Sequence, residues 1–198
     1  YRFKSFNSKQ KNKVFELINK MYNENKYKKS KNKIAFIGLR GAGKSTLGNM
    51  LHEEFSYPLY EATNEIEKLG GMNINEIIEL GGQGMYRRFE FDVVKYLFEN
   101  HSKLILLAGG SIVSEDKTYN YVLNNYFTIW IKASPSEHMQ RVLNQGDSRP
   151  MSSNPRAMDD LNNILNERIA LYSKADLIID SENRSAEEAY KDLKTKLV

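Results

Sequence analysis

The residues best placed to do chemistry are Gly38-Leu39-Arg40-Gly41-Ala42-Gly43-Lys44-Ser45, which fit the pattern G-x-x-x-x-G-K-[ST]. Such a loop closes backbone N–H groups around phosphate oxygens, and the helix that follows adds partial positive charge from its N-terminus. The pattern becomes a site only between a strand and a helix. Both are expected here: Ile34-Ala35-Phe36-Ile37 is an apolar run of buried-strand type, and Thr46-Leu47-Gly48-Asn49-Met50-Leu51 opens a helical pattern. Gly41, Ala42, Gly43, Lys44, Ser45 and Thr46 are therefore the candidate nucleotide-binding residues. Lys44 would reach the outer phosphates of ATP or ADP, and the Ser45 hydroxyl would ligate Mg2+.

The elements that must position this loop follow from the apolar pattern. Candidate strands are Ile34–Ile37, Pro58–Glu61, Leu104–Leu107, Phe127–Ile131 and Leu177–Asp180, with helices over about 44–55, 73–80, 84–100, 136–144, 155–172 and 185–197. Apolar strands alternating with helices predict an α/β three-layer sandwich: a five-stranded parallel sheet with helices on both faces. Ligands in such sheets collect at the carboxyl ends of the strands. Extra weight falls on Glu61-Ala62-Thr63, Ala108-Gly109-Gly110-Ser111 and Lys132-Ala133-Ser134.

Composition narrows the possibilities. The 198 residues contain no cysteine, which excludes disulfides, thiolate metal sites and cysteine nucleophiles and suits a reducing cytoplasm. No apolar run approaches the ~18 residues of a membrane span, so no membrane partner is expected. Charge is uneven. Residues 1–33 carry eleven basic side chains against Glu16 and Glu24, and residues 34–198 carry −5 of the chain's net +4. Residues 1–33 therefore read as a basic linker, either simply solvated or lying near nucleic acid. Within it, Val14, Leu17, Ile18 and Met21 recur at helical spacing after Ser8, a possible N-cap. That amphipathic stripe would bury itself on residues 34–198, on a second copy in a homodimer, or on a further domain. The chain opens on Tyr1 rather than Met, as a piece of something longer would.

From about Lys33 onward the chain resembles the shikimate kinase family of P-loop small-molecule kinases. The landmarks run in order: the glycine loop, Ile66-Glu67 with Gly70 and Gly71, Tyr86-Arg87-Arg88-Phe89-Glu90, Gly109-Gly110, Arg149-Pro150, and Arg168 followed by Leu171-Tyr172. The resemblance implies that Arg87 and Arg168 hold the substrate carboxylate, a task suited to guanidinium. It implies that Gly109 and Gly110 bring backbone close to the ligand. It also makes the polar segment around 144–155 a closing lid, whose Arg149 meets ATP phosphates and acts in catalysis with Lys44. Helical spacing puts Phe89, Val93 and Leu97 on one core-facing stripe, with Arg87 and Glu90 away from it.

The departures from the family are informative. The family's D-x-D-x-x-I-E reads Glu61-Ala62-Thr63-Asn64-Glu65-Ile66-Glu67 here. Glu61 keeps a carboxylate for the metal, whereas Thr63 replaces the aspartate that binds substrate hydroxyls and serves as base. Gln83 stands for a glutamate and Ala108 for a glycine. The runs Ile37–Gly48, Trp130–Met139 and Gln145–Met151 look like a subgroup, the shikimate-kinase-like C-terminal effector domain of helix-turn-helix regulators of benzoate degradation. That likeness implies a ligand-sensing domain binding nucleotide and an aromatic acyl-CoA such as benzoyl-CoA, with DNA bound only through an absent N-terminal domain and kinase activity weak or lost. The alternative is an active shikimate kinase, and a structural module with a vestigial site is the third reading.

Other residues read as ordinary structure. His52, His101 and His138 lack metal-like spacing, and Trp130 and Met139 read as core. Glu137-His138 reads as a helix start, Asp159-Asp160 as a solvated face, and Glu187-Glu188 as a first turn capped by Ser185.

Overall fold

The computed structural model describes residues 13–14, 16–17, 29–144 and 156–197. It contains two compact units, 1–30 and 31–198. In the first, residues 13, 14, 16 and 17 are helical. Of the expected apolar stripe, Val14 and Leu17 are among the described residues, whereas Ser8, Ile18 and Met21 lie outside them, as do Arg149 and residues 145–155 of the expected lid.

The second unit is a five-stranded, wholly parallel sheet in the order β2-β3-β1-β4-β5. The strands are β1 (Lys33–Ile37), β2 (Leu59–Glu61), β3 (Leu104–Leu107), β4 (Phe127–Lys132) and β5 (Leu177–Asp180). Helices α1 (Lys44–Phe55), α2 (Ala62–Gly70), α3 (Ile74–Asn100), α4 (Asp116–Asn125), α5 (Pro135–Asn144), α6 (Ala157–Tyr172) and α7 (Ala186–Leu197) connect and flank them, with a 3-10 turn at Ile112–Ser114.

Successive strand side chains point to opposite faces, so continuous apolar strands supply two cores. Ala35, Ile37, Leu104, Leu106 and Trp130 pack with Val93, Val94 and Leu97 of α3 and Tyr119 and Val122 of α4. Ile34, Phe36, Ile105, Leu107, Ile129 and Ile131 pack with Leu47 and Leu51 of α1 and Ala189 and Leu193 of α7. The sheet is thus covered on both faces, the three-layer arrangement expected.

Two helices that periodicity does not announce are present, α2 and α4. α2 begins directly after the last residue of β2 and buries only Ala62 and Ile66, too few apolar residues for a legible stripe. α4 is mostly polar and buries Thr118, Tyr119 and Val122. The separate helices expected over 73–80 and 84–100 form one run, α3, broken by non-helical backbone at Gly82 (φ 66°, ψ −176°). Asn73 and Glu76 start it with a reciprocal capping box.

The expected stripe on α3 needs correction. Glu90, Val93, Val94 and Leu97 are the buried set, and Phe89 is only partly covered. Glu90 therefore faces inward, because Arg87 and Tyr86 offer its carboxylate partners there.

Gly38 follows β1 at φ +136°, and a Cβ there would sit 2.6 Å from the carbonyl oxygen of Ile131. Gly38→Ala is expected to cost on the order of 2–4 kcal/mol, combining strained backbone with a clash against a neighbouring strand. Chemical denaturation would read this as a lowered midpoint at unchanged slope; a midpoint matching wild type would contradict it.

Candidate functional site

The loop after β1 turns into α1 through Gly41 (φ +76°) and Gly43 (φ +99°), conformations that favour glycine. Gly43 is the N-cap of α1, no side chain caps it, and no acidic residue occupies the first turn. The helix N-terminus thus keeps its partial positive charge for a ligand.

A cavity of about 460 Å³ opens over this turn. Its lining joins residues 40–46 to Glu61, Thr63 and the Leu107–Gly110 stretch. Four strand ends were expected to matter, and the carboxyl ends of β1, β2 and β3 meet here. The fourth, Lys132-Ala133-Ser134 after β4, does not line it. A second cavity of about 380 Å³ shares Gly41–Gly43 and Thr46 and runs beneath Arg141, Ser181 and Arg184.

Lys44 donates to the carbonyl oxygens of Gly38 (2.8 Å) and Leu39 (3.0 Å). Burial pushes its ammonium down to about 8; the nearby Glu61 carboxylate opposes the shift and Arg40 adds to it. A bound diphosphate favours the charged form, so binding takes up a proton above that value. ADP affinity should consequently fall as pH rises through about 8, being roughly tenfold weaker at pH 9 than at pH 7. Calorimetric titration in buffers of different ionisation enthalpy reads both affinity and proton uptake. Equal affinity at the two pH values would refute the charge assignment.

Glu61 is the last residue of β2 and exposed, and its side chain does not cap α2. Thr63 is half-buried in the first turn of that helix. The donor set available to a cation here is the Ser45 hydroxyl with the Glu61 carboxylate. No cluster of three His, Cys, Asp or Glu side chains exists among the described residues. Hard oxygen donors, few in number, fit Mg2+ held chiefly by phosphate and water rather than an all-protein cage.

The remaining candidates converge on the turn after β3. Arg87 donates to Glu90 Oε2 at 2.7 Å, and the Tyr86 hydroxyl lies 3.4 Å from Glu90 Oε1. Burial raises the Glu90 carboxyl, while the Arg87 hydrogen bond and charge pull the other way. A Cβ at Gly109 would lie 3.6 Å from the Tyr86 hydroxyl and 3.7 Å from Glu90 Oε1, in ordinary contact. Arg168 Nη1 (3.2 Å) and the Tyr172 hydroxyl (2.6 Å) both donate to the Gly110 carbonyl oxygen. Tyr172 is itself held by stacking on Trp130, with ring centroids 5.6 Å apart. Gly110 presses on the glycine loop, since a Cβ there would be 3.3 Å from both Arg40 N and Leu39 Cα. Arg168 therefore holds the glycine turn directly, Arg87 is bonded to Glu90 beside it, neither arginine lines the cavity, and the turn packs on the phosphate loop.

Sequence reading assigns no separate role to Tyr86, Arg141 or Ser181, and takes His138 as ordinary structure. Arg141 donates to the Ala42 carbonyl oxygen (3.2 Å) and to Ser181 Oγ (3.2 Å). Ser181 is buried and follows β5. No local pattern announces these pairings, because the partners lie far apart in the chain.

A parallel sheet whose first strand runs through a glycine loop into a helix, with a cavity over that loop, defines a P-loop nucleotide-binding fold. The shikimate kinase family model matches residues 40–198. The shikimate kinase of Aquifex aeolicus (strain VF5) is 30% identical over 161 residues, covering 81% of this chain and 93% of that protein. That of Bradyrhizobium diazoefficiens is 33% identical over 150 residues, covering 76% and 72%. Among solved structures, Acinetobacter baumannii shikimate kinase in complex with shikimate superposes with a TM-score of 0.73 at 25% identity, covering 87% of this chain and 97% of that one. The chain belongs to the shikimate kinase family.

Proposed function

We propose that this chain is a kinase that binds MgATP on Gly41–Thr46 and transfers the γ-phosphoryl group to a hydroxyl of a small carboxylic acid, with shikimate the acceptor to test first. The observation that carries this reading is the cavity in which the phosphate loop, Glu61, Thr63 and the Gly109-Gly110 turn meet, with Arg168 bonded to that turn and Arg87 to the neighbouring Glu90. Relatives named shikimate kinase support it over a sensing role.

In this reading Lys44 releases the Gly38 and Leu39 carbonyls and meets the β- and γ-phosphates. Arg87 and Arg168 fix the acceptor carboxylate so that its hydroxyl faces the γ-phosphorus in line. Ser45 and Glu61 would hold Mg2+, which would neutralise phosphate charge. Arg149 would add a further cation from the lid. The acceptor oxygen forms the new bond to phosphorus, the bond to the β-phosphate oxygen breaks, ADP leaves, and the acceptor hydroxyl gives up its proton late, to water. A loose phosphoryl-transfer transition state demands positioning and charge more than an early proton abstraction, so Thr63 slows the step without forbidding it.

A second reading rests on that same residue. Thr63 carries no charge, and Ala108, which lines the same cavity, is buried and apolar, a setting that suits an aromatic acyl end. Under this reading the domain senses a ligand such as benzoyl-CoA, with its diphosphate on the loop. A coupled assay with shikimate and MgATP separates the two. Turnover supports the kinase. No turnover, together with mutual exclusion of ATP and benzoyl-CoA, supports the sensor.

A further inference from the structure

His138 lies on the second turn of α5, is 2% exposed, and places Nδ1 2.9 Å from the carbonyl oxygen of Arg40, a phosphate-loop residue 98 positions away. Among the described residues it belongs to no metal-binding cluster, and nothing in the chemistry proposed above uses it. What it does is orient a peptide. In a trans peptide the C=O and the next N–H point in opposite directions. Holding the Arg40 carbonyl toward α5 therefore aims the Gly41 N–H away from α5. Two residues on, Arg141 and the Ser181 hydroxyl hold the Ala42 carbonyl (3.2 and 3.4 Å), which aims the Gly43 N–H in the same manner. The packing leaves no slack: a Cβ at Gly41 would meet the His138 carbonyl oxygen at 2.8 Å and Val142 at 3.0 Å. No α5 residue lines the cavity that joins the loop to Glu61 and Thr63, whereas Arg141 and Asn144 of α5 line the second cavity beside Gly41–Gly43.

We infer that His138 is a positioning residue for nucleotide binding: its Nδ1–H, donated to the Arg40 carbonyl, sets the anion-facing direction of the loop's N–H groups. α5 begins with Ser134 and Glu137 bonded reciprocally, and Glu137 Oε1 also accepts from Arg141 Nη2 at 3.2 Å. The same helix turn thus braces both grips.

The inference rests on the loop binding nucleotide, and it is tested on the full chain by calorimetric ADP affinity with Mg2+ and by separate KM values for ATP and acceptor. His138→Leu keeps the shape but removes the donor. His138→Asn restores an N–H at the place of Nδ1, and His138→Gln moves the donor one carbon further out. We expect ADP to bind about tenfold more weakly to the Leu and Gln variants, with acceptor KM unchanged, and within about threefold of wild type to the Asn variant. If His138→Leu fails to fold, the difference in ADP affinity between the Asn and Gln variants decides the question in its place. Equal affinity in all variants, or equal loss in all three, would overturn the inference. Failure of wild-type chain to bind ADP would overturn it together with the proposed function, whereas binding without shikimate turnover would remove only the acceptor assignment.

Discussion

Thr63→Asp is expected to raise kcat for shikimate phosphorylation by about 10²-fold, the lower end of the range that general-base assistance supplies. The low end applies because a loose transition state leaves the acceptor proton in place until late. Position 63 lies in the first turn of α2, lining the cavity with Glu61 and the phosphate loop. A carboxylate there gains from the helix N-terminus and meets the nucleotide mouth without new backbone. Shikimate KM should also fall, since a charged acceptor can bind substrate hydroxyls that a threonine serves less strongly. Steady-state rates of the two forms under saturating MgATP provide the check. An unchanged kcat would mean that proton removal is not limiting, or that the acceptor does not sit against α2.

Lys44→Met should remove nearly all turnover, by about 10²–10³-fold, the usual consequence of deleting one preorganised charge from a phosphoryl-transfer site. Methionine preserves most of the side-chain length, so the deficit isolates the ammonium. Fold stability should rise slightly or hold, because the wild-type ammonium is costly to bury: burial brings it down to about 8. Kinetics combined with thermal denaturation therefore distinguish a catalytic lysine from a structural one. Loss of activity accompanied by an equal loss of folded protein would argue for the structural role.

These expectations draw on features of unequal legibility. The strands β1, β3 and β4 are readable because a strand buried on both faces must be apolar throughout, and few other patterns produce such runs; β5, at the sheet edge with Ile178 exposed, is readable only as a short apolar run. The phosphate loop is readable because its glycines, lysine and serine act through backbone geometry within eight consecutive residues. The Ser185 start of α7 is readable for the same local reason: its hydroxyl and the Glu188 carboxylate each satisfy the other's backbone N–H. By contrast, α2 and α4 escape pattern reading, since each buries too few apolar residues to mark a period. Glu90 is misplaced by spacing alone. A carboxylate is expected outside, and only the arrival of Arg87 and Tyr86 on the same helix face lets it turn inward.

What the sequence determines by itself is the phosphate-binding loop, the parallel α/β architecture and the uncharged Thr63 two residues after Glu61, all carried by residues adjacent in the chain. What only the tertiary structure decided is which distant groups hold that loop in shape. Arg168 and Tyr172 reach Gly110 across 58 and 62 positions, and His138 reaches Arg40 across 98. The physical reason is that a backbone carbonyl accepts from any donor brought within reach. Its identity as an acceptor is the same at every residue, so no local pattern can reveal which side chain the fold will bring to it.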